Sequence, residues 1–554
     1  MDTNNTTHAT SFPAHAVNNT YASESSFRFR SIAAALLYFT RTTPDAIFLV
    51  SIDDTGTRHE YSFQSFAEVV LRRAATLQSL GVHRGSRIVS AAHNHHDTVI
   101  LMFAAWTLGA CIVPLNMTED DDRLRFIIGD CRAVLAVTRP EYAARMRPMC
   151  ADANLPCVDS HDISFGAAVI EQLFTPDEDS FLEDECLIVY TSGTTGKPKG
   201  VVLVQRNLMA DGEGIASWHG INPTQRMMCV LPIHHVNGTI VTLVTPFLAG
   251  ASVVLLRKFQ SDTFFTTIRR EGVTITSVVP TLLAFLLQAE SDDCEVRQHG
   301  FRHIICGAGP LTCELAQRFE STYAIPIIHG YGLSETTCYS CFLETTLDKQ
   351  EHQFWMQNFG FPSIGTPISQ NEMSIHDSHG SPCGENVRGE IVIRGWNVMK
   401  EYYNNESANV SAFEFGWFRS GDEGFWVMSG SGKPYFFITG RLKELIIRGG
   451  VNIAPLEIDE VLTKAPGVRA GICLGFENDF YGEEVGALVI PEAGCNADEV
   501  RDYCMAHLPF SKAPKVVLFA DTLPVTSTGK YQRNNVKHLF KEWKAAQFTK
   551  SPRP

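Results

Sequence analysis

The stretch Tyr190–Gly200 (YTSGTTGKPKG) constrains the fold strongly, because a buried strand must end there in a loop that fits no regular element. Leu187–Tyr190 is a short apolar run of strand type. Three glycines let the backbone that follows turn its N–H groups toward one point, and hydroxyl and ammonium groups surround that point. The pattern predicts a loop that binds the phosphates of a nucleotide. Its residues are Thr191, Ser192, Gly193, Thr194, Thr195, Gly196, Lys197 and Lys199.

This loop is not a P-loop, because Pro198 and not Ser or Thr follows the first lysine. A flexible surface loop would be the alternative if it stood alone. Four further motifs follow it in order: Tyr331–Thr336 (YGLSET), Trp417–Asp422 (WFRSGD), Gly440–Leu445 (GRLKEL) and Pro524–Lys530 (PVTSTGK). With them the chain resembles the acyl-adenylate-forming superfamily of acyl-CoA synthetases, adenylation domains and luciferases, from about Phe27 to about Phe540.

The periodicity of the chain predicts an α/β fold with a smaller second domain. Helical and strand patterns alternate over residues 27–180 and 185–330, which predicts parallel sheets covered by helices. After Gly360 the pattern is rich in strands and predicts a small barrel-like β subdomain. A boundary near Thr439–Lys443 precedes a small, mobile α+β module. The predicted parts are a disordered tail (1–26), a large domain (27–440), a small C-terminal domain (441–545) and a flexible tail (546–554).

Bulk properties narrow the possible partners and location. The net charge of −15 argues against nucleic acid and anionic membranes as main partners. Neither a secretory signal nor an apolar run long enough for a stable membrane span is apparent. The 15 cysteines follow no disulfide framework, so a cytoplasmic enzyme is expected. His93–Asp97 (HNHHD) is interpreted as a polar loop before a helix, and no pattern predicts an oligomeric state.

The resemblance assigns expected roles around ATP. Glu335 matches the family's magnesium-binding glutamate, and Lys530 its catalytic lysine, which would bridge the attacking carboxylate and the α-phosphate. Asp422 would accept the ribose hydroxyls, and Arg441 would reach the ribose or the α-phosphate. The adenine would lie against Tyr331, with Ala308, His329, Gly330 and Ser334 beside it.

The same resemblance implies a second half-reaction in which the C-terminal domain rotates and admits the thiol of CoA. Lys443 occupies the hinge position. Gly449 and Gly450 lie in the loop expected to line the pantetheine tunnel. Arg448, Lys512 and Lys515 are weaker candidates for contacts with the CoA phosphates.

The acyl pocket is expected around a gate at His235, for which a catalytic role and a core histidine are both open. The predicted lining residues are His234, Asn237, Thr239, Thr337 and Cys338, with Ala308 and Ser340 beside them. Such a polar set is unlike a tunnel for a long acyl chain, so a small or polar acid is expected.

The sequence therefore predicts an AMP-forming acyl-CoA synthetase that uses ATP, Mg²⁺ and CoA. One alternative is a stand-alone enzyme that loads the phosphopantetheine of a carrier protein, and a luciferase-like oxygenase is another. A third, of a different class, is an inactive nucleotide-binding regulator, which the intact Lys530, Glu335 and phosphate loop disfavour.

Overall fold

Two large sheets flanked by helices make up most of the protein. A computed structural model describes residues 13–161, 181–191, 198–289, 294–525 and 531–549. The helices are α1 (Ile32–Thr42), α2 (Phe63–Ser79), α3 (His96–Thr107), α4 (Asp121–Asp130), α5 (Pro140–Asp152), α6 (Gln205–His219), α7 (Thr245–Ala249), α8 (Phe264–Glu271), α9 (Pro280–Gln288), α10 (Cys313–Tyr323), α11 (Lys349–Gln357), α12 (Glu406–Ala412), α13 (Pro455–Leu462) and α14 (Ala497–His507).

The strands alternate with these helices in the first two thirds of the chain and dominate the last third. They are β1 (Ala16–Val17), β2 (Thr20–Tyr21), β3 (Ile47–Ile52), β4 (Arg58–Ser62), β5 (Arg87–Ala91), β6 (Cys111–Leu115), β7 (Leu135–Thr138), β8 (Cys157–Asp159), β9 (Glu185–Thr191), β10 (Lys199–Val204), β11 (Arg226–Cys229), β12 (Ser252–Leu256), β13 (Ile275–Val278), β14 (His303–Cys306), β15 (Ile327–Tyr331), β16 (Cys341–Phe342), β17 (Thr366–Pro367), β18 (Asn371–His376), β19 (Gly389–Gly395), β20 (Glu401–Tyr402), β21 (Phe418–Met428), β22 (Pro434–Arg441), β23 (Ile446–Arg448), β24 (Val451–Ile453), β25 (Val468–Asn478), β26 (Gly482–Pro491) and β27 (Val516–Phe519).

The two large sheets are mainly parallel in their middles. The seven-stranded sheet has the order β20-β10-β9-β6-β5-β7-β8, and the nine-stranded sheet has the order β17-β16-β15-β14-β13-β11-β12-β3-β4. Strands β11 to β15 of the second sheet pair in parallel, so their carboxyl ends meet at one edge. This edge is where an open α/β sheet places its ligands.

The strand-rich stretch after Gly360 forms a small antiparallel sheet with the order β18-β19-β21-β22. Strands β18 and β22 do not pair with each other among the described residues, but β17 contacts both, and Gly365 directly before β17 bridges to Phe436 of β22, which fits the expected barrel-like form. It matters for the site because β21 and β22 place Asp422 directly opposite Arg441.

The C-terminal part has its own sheet and its own hydrophobic core. Strands β23 to β27 form the sheet, and the buried residues packed on it all lie between Ile446 and Phe540. The core of the large domain is separate and includes a cluster of phenylalanines, with Phe48 and Phe66 ring centroids 4.8 Å apart. The change of core thus falls between Arg441 and Ile446.

The N-terminal residues correct one expectation. Instead of a disordered tail through residue 26, the structure has a 3-10 turn at Pro13–His15 and a hairpin of β1 and β2. Ala14 and Val17 are buried, and His15 Nε2 lies 2.9 Å from the carbonyl oxygen of Met399. A polar composition predicted disorder, but a few small apolar side chains and one buried histidine suffice to dock the segment.

No helix in the described ranges has the length and apolar character that crossing a bilayer requires.

A histidine that is buried in its neutral form should make the free energy of unfolding depend on pH, and His15 is such a residue. Burial, with help from Arg206, lowers the pKa of His15 from 6.5 to about 4. Between pH 6.5 and about pH 4 His15 is therefore protonated in the unfolded chain but neutral in the folded protein. The free energy of unfolding falls as the pH is lowered through this range. We expect His15→Gln, which keeps a donor at the Nε2 position, to remove up to about 3 kcal/mol of this acid-induced loss. Urea unfolding from pH 7.5 to 4 measures it.

Replacement of the exposed His83 by Gln controls for the substitution itself. Identical pH curves for wild type and His15→Gln would contradict the assignment of the acid effect to His15.

Candidate active site

The predicted phosphate loop joins two antiparallel strands. Thr191 ends β9 and pairs with Lys199 at the start of β10, so the loop begins and ends at one place. The Lys199 ammonium lies 4.7 Å from the ring centroid of Tyr402. The other predicted residues of the loop lie outside the described residues: Ser192, Gly193, Thr194, Thr195, Gly196 and Lys197.

Tyr331 and Asp422, predicted from separate motifs, are in direct contact. The Tyr331 hydroxyl at the end of β15 donates a 2.7 Å hydrogen bond to Asp422 Oδ2. Arg441 Nε lies 3.2 Å from Asp422 Oδ1, too poorly aligned to count as a hydrogen bond. Asp422 is only 2% exposed, and its Oδ1 has no hydrogen-bond donor in the described part of the chain. A buried carboxylate oxygen with spare acceptor capacity fits a ribose hydroxyl.

The residues expected around adenine lie at the carboxyl ends of β14 and β15. His329 is buried, its Nδ1 lies 2.9 Å from the Ser363 carbonyl oxygen, and burial lowers its pKa to about 4. Ala308 has φ of +62°, a left-handed conformation that alanine seldom adopts. A Cβ at Gly330 would lie 2.4 Å from the ring of Phe342, so only glycine fits there.

Glu335 lies in a 3-10 turn with Ser334 and is fixed from both its backbone and its side chain. Its carbonyl oxygen accepts a 2.7 Å hydrogen bond from the N–H of Met399. Its carboxylate Oε1 accepts a 2.9 Å hydrogen bond from the hydroxyl of Tyr402. The carboxylate is half-buried and presents hard oxygen ligands, which is the chemistry that magnesium takes in proteins.

The acyl-pocket candidate Asn237 belongs to a polar network. Its Oδ1 accepts a 2.8 Å hydrogen bond from the Ser277 hydroxyl, and its Nδ2 donates to the hydroxyl of Tyr339 at 3.2 Å. Tyr339 is fully buried, and a Cβ at Gly307 would lie 2.6 Å from its hydroxyl. Asn237 also starts a π-helical segment, Asn237–Val244, a form found often at functional sites.

Of the other candidates, one group lies in the gate segment around His234 and His235, and the other lies just after Glu335. Burial lowers the pKa of His234 to about 4, and its ring lies 4.4 Å from the ring of His235. The hydroxyl of Thr239 donates to the Ile233 carbonyl oxygen at 2.5 Å, so it shapes the gate segment. Thr337 and Cys338 are buried and follow Glu335 with only Thr336 between.

In the C-terminal domain the two predicted glycines form the turn between β23 and β24. Gly449 and Gly450 have φ of +58° and +82°, which other residues adopt poorly. Lys443 is exposed in the short turn Leu442–Glu444. Lys530 lies outside the described residues.

Lys515 is wrong as a candidate for CoA phosphates. It is 5% exposed, and its ammonium donates to the carbonyl oxygens of Phe510 and Ala513 at 2.6 Å. Burial lowers its pKa to about 8. Lys512 is already paired with Glu457 at 2.6 Å. The sequence shows that these residues are basic, but it does not show that their ammonium groups are already bound by other groups of the protein.

The loop His93–Asp97 brings imidazole and carboxylate groups together but uses them to hold an arginine. Ligand atoms of His95, His96 and Asp97 lie within 4.8 Å of one another. The Arg139 guanidinium, however, lies 2.9 Å from His95 Nδ1 and donates to Asp97 Oδ2 at 3.2 Å. A cation therefore already occupies the place between them.

Comparison with known proteins identifies the family. The model of the AMP-binding enzyme family matches residues 38–403, and that of the AMP-binding enzyme C-terminal domain matches residues 457–530. The chain belongs to the AMP-binding enzyme family. It is 32% identical to a sulfoacetate–CoA ligase of Cupriavidus necator, over 91% of this chain and 97% of that protein. It is 31% identical to an oxalate–CoA ligase of Arabidopsis thaliana, over 86% and 92%.

Solved structures agree with this assignment. The o-succinylbenzoate coenzyme A synthetase of Bacillus subtilis, in complex with ATP and magnesium ion, superposes with a TM-score of 0.78 at 28% identity, covering 91% of this chain and 99% of that one. ATP-bound MatB from Rhodopseudomonas palustris shares the fold with a TM-score of 0.82, covering 93% and 99% at 24% identity.

These findings confirm the predicted fold and enzyme class. The AMP-binding enzyme is an AMP-forming acid–CoA ligase that activates a carboxylic acid with ATP as an acyl-AMP and transfers it to CoA. Its use of ATP, Mg²⁺ and CoA is likewise confirmed.

Sequence reasoning missed several side chains that build the site. They are Ser277, Tyr339, Asn397 and Tyr402, none of which stands in a motif of its own. Their partners lie 40 to 102 positions away in the chain, so no local spacing could have joined them.

We expect Asp422→Asn to weaken ATP binding about tenfold or more, because hydrogen bonds to a charged acceptor contribute about 1.5–3 kcal/mol. The amide keeps the size of the carboxylate but can accept on one atom only. Titration of ATP followed by calorimetry measures the change, with the exposed Asp45→Asn as control. Unchanged ATP affinity in Asp422→Asn would remove the ribose role of Asp422.

Proposed function

We propose that this ligase activates a small or polar carboxylic acid, and that Glu335, Lys530 and His235 act at the reacting groups. The observation that carries the choice of acid is the buried polar network around the pocket candidate Asn237. There Asn237 bridges the hydroxyls of Ser277 and Tyr339. A pocket lined by such polar groups offers little apolar surface to a long alkyl chain.

The position of Tyr339 supports the same choice. Tyr339 is fully buried and lies so close to Gly307 that a single methyl group there would collide with its hydroxyl. We assign this ring to the wall that limits the length of the acyl group. The named substrates of two relatives, sulfoacetate and oxalate, are small polar acids, which favours such an acid here as well.

The first half-reaction joins two anions, so charge neutralisation and alignment dominate its barrier. An oxygen of the carboxylic acid attacks the α-phosphorus of ATP, the bond to the bridging oxygen breaks, and pyrophosphate leaves. Asp422 and Arg441 would hold the ribose side. Lys530 would neutralise the charge that develops between the acid and the α-phosphate. Mg²⁺, held by Glu335, would supply further positive charge beside the phosphates.

In the second half-reaction the thiol of CoA attacks the acyl carbon and AMP leaves. We assign Lys443 to the hinge of the domain movement, and Gly449 and Gly450 to the wall of the thiol channel. The support is the exposed position of Lys443 and the turn of two positive φ angles at the glycines. His235 would act as the gate of the acyl pocket.

We also propose a cytoplasmic location. The cysteines whose side chains the structure describes are free thiols, and most of them are buried. Unpaired thiols in this number are typical of reducing compartments.

The test is ATP–pyrophosphate exchange with a panel of small, dicarboxylic, aromatic and fatty acids, each repeated with CoA while AMP is followed. We expect exchange with a small polar acid and release of AMP that depends on CoA. Turnover that rises steadily with fatty-acid length would contradict the polar pocket. Exchange without turnover of CoA would point to a carrier protein as the acceptor.

We expect Tyr339→Ala to widen the acid range, because removal of the ring would leave space beside Asn237 for a longer acid. The ratio of kcat/KM for a six-carbon acid to that for the best short acid should rise at least about tenfold. Tyr323→Ala, at an equally buried tyrosine on α10, is the matched control. Equal ratios in both variants would exclude Tyr339 as the wall that limits chain length.

We expect Lys530→Ala to lower the rate of adenylate formation about a hundredfold, the usual effect of removing one group that stabilises a transition state. Thioester formation from supplied acyl-AMP should change little, because the lysine would act in the first step only. Rapid-quench assays of the two half-reactions measure this, with the exposed Lys541→Ala as control. Equal losses in both steps would refute separate conformations for the two steps.

A further inference from the structure

The turn directly after Glu335 is strained. Thr337 has φ of +65° and ψ of −55°, and the N–H of Cys338 donates to the carbonyl oxygen of Thr336 at 2.7 Å. These angles and this bond define a γ-turn of the rare kind with positive φ at its centre. For a β-branched residue the conformation costs free energy and persists only where surrounding groups impose it.

One buried side chain spans this γ-turn. Asn397 Nδ2 donates toward the carbonyl oxygens of Thr336 at 3.3 Å and Tyr339 at 3.2 Å. In return, the Thr337 hydroxyl donates to the carbonyl oxygen of Asn397 at 2.6 Å. Asn397 and Thr337 are both fully buried, so water cannot replace these bonds. The amide thus clamps the turn on both sides of its strained residue.

Asp211 on α6 supports the clamp from behind. Its Oδ2 accepts the backbone N–H of Tyr339 at 3.3 Å, and its Oδ1 lies 3.4 Å from Asn397 Nδ2. Asp211 is fully buried, and burial raises the pKa of its carboxyl group well above the ordinary value. The described structure places no cation beside it, so the neutral acid is the form that fits this environment.

The turn lies between two groups that the reaction needs. On its amino-terminal side the carboxylate of Glu335 accepts a hydrogen bond from Tyr402, and on its carboxyl-terminal side Tyr339, the proposed wall of the acyl pocket, accepts one from Asn237. A change in the turn would therefore move both. Met399, two residues after Asn397, also donates to the Glu335 carbonyl oxygen at 2.7 Å, so one short segment holds the whole region.

We propose that Asn397, supported by Asp211, is a positioning residue that holds the strained turn at Thr337 and thereby aligns the Glu335 carboxylate with the metal ion and Tyr339 with the acid. This inference rests on the proposed roles of Glu335 and Tyr339. Asn397 itself touches no reacting atom.

The test compares Asn397→Ala with Gln205→Ala. Gln205 is a fully buried amide on α6 that bonds the N–H of Ile32 at 3.1 Å and the carbonyl oxygen of Trp106 at 3.3 Å, away from the turn. Both variants lose a buried amide, and both should lose stability. Only Asn397→Ala should change the effect of Mg²⁺ on ATP affinity and the KM for the acid.

The decisive readout is ATP binding with Mg²⁺ and with EDTA, measured by calorimetry on the full chain. We expect Asn397→Ala to lower the enhancement of ATP affinity by Mg²⁺ about tenfold and to leave the affinity in EDTA unchanged. In ATP–pyrophosphate exchange its KM for the acid should rise several-fold more than its KM for ATP. Gln205→Ala should keep the wild-type values of both ratios.

Two results separate failure of this inference from failure of the proposed function. If the wild type binds ATP with equal affinity in Mg²⁺ and in EDTA, the role of Glu335 is overturned, and this inference with it. A wild-type enhancement by Mg²⁺ that Asn397→Ala keeps would overturn the role of Asn397 alone.

Isosteric variants keep the test valid if Asn397→Ala does not fold. Asn397→Asp retains the size of the side chain but lacks the Nδ2 donors, so it should lose the enhancement by Mg²⁺ as well. Asp211→Asn keeps the size of the side chain and one of its two acceptor atoms, so it should lose less of the enhancement than Asp211→Leu, which keeps neither. Loss in Asp211→Asn equal to that in Asp211→Leu would overturn the supporting role of Asp211.

Discussion

The site depends on the hydrogen bonds between the segment Tyr331–Ser340 and the segment Asn397–Tyr402. The first segment carries the proposed adenine platform, the proposed metal carboxylate and the proposed wall of the acyl pocket. The second supplies the amide of Asn397, the N–H of Met399 and the hydroxyl of Tyr402. Because these bonds are largely buried, each lost partner would leave a polar group unsatisfied, which makes the arrangement stiff.

The second segment is itself held from two directions. Asn207 on α6, which begins directly after β10, donates to the carbonyl oxygen of Val398 at 2.7 Å, and His15 lies 2.9 Å from that of Met399. The helix that follows the phosphate loop and the N-terminal segment thus meet at the same strip of backbone. This contact explains why the N-terminal residues fold onto the large domain and gives α6 a role beyond packing.

Motif reasoning from the sequence succeeded where the chemistry needs residues close together in the chain. Tyr331 and Glu335 stand in one motif, and their order with Asp422 and Arg441 indicated the enzyme class, while the structure added the contacts among Tyr331, Asp422 and Arg441. It failed for Lys515, because a basic residue type does not show whether its charge is already used. It gave no signal for Tyr339, whose neighbour Asn237 lies 102 positions away.

The sequence alone determined the alternation of strands and helices, the glycine-rich loop and the set of groups that ATP chemistry requires, since these follow from local periodicity and residue chemistry. Only the tertiary structure decided that Tyr339 is buried beside Asn237, that Asn397 spans a strained turn beside Glu335, and that Asp211 is buried with no cation beside it among the described residues. Those properties arise from burial and from contacts between distant segments. Burial and distant contacts depend on how the sheets pack, and no local pattern of residues encodes that packing.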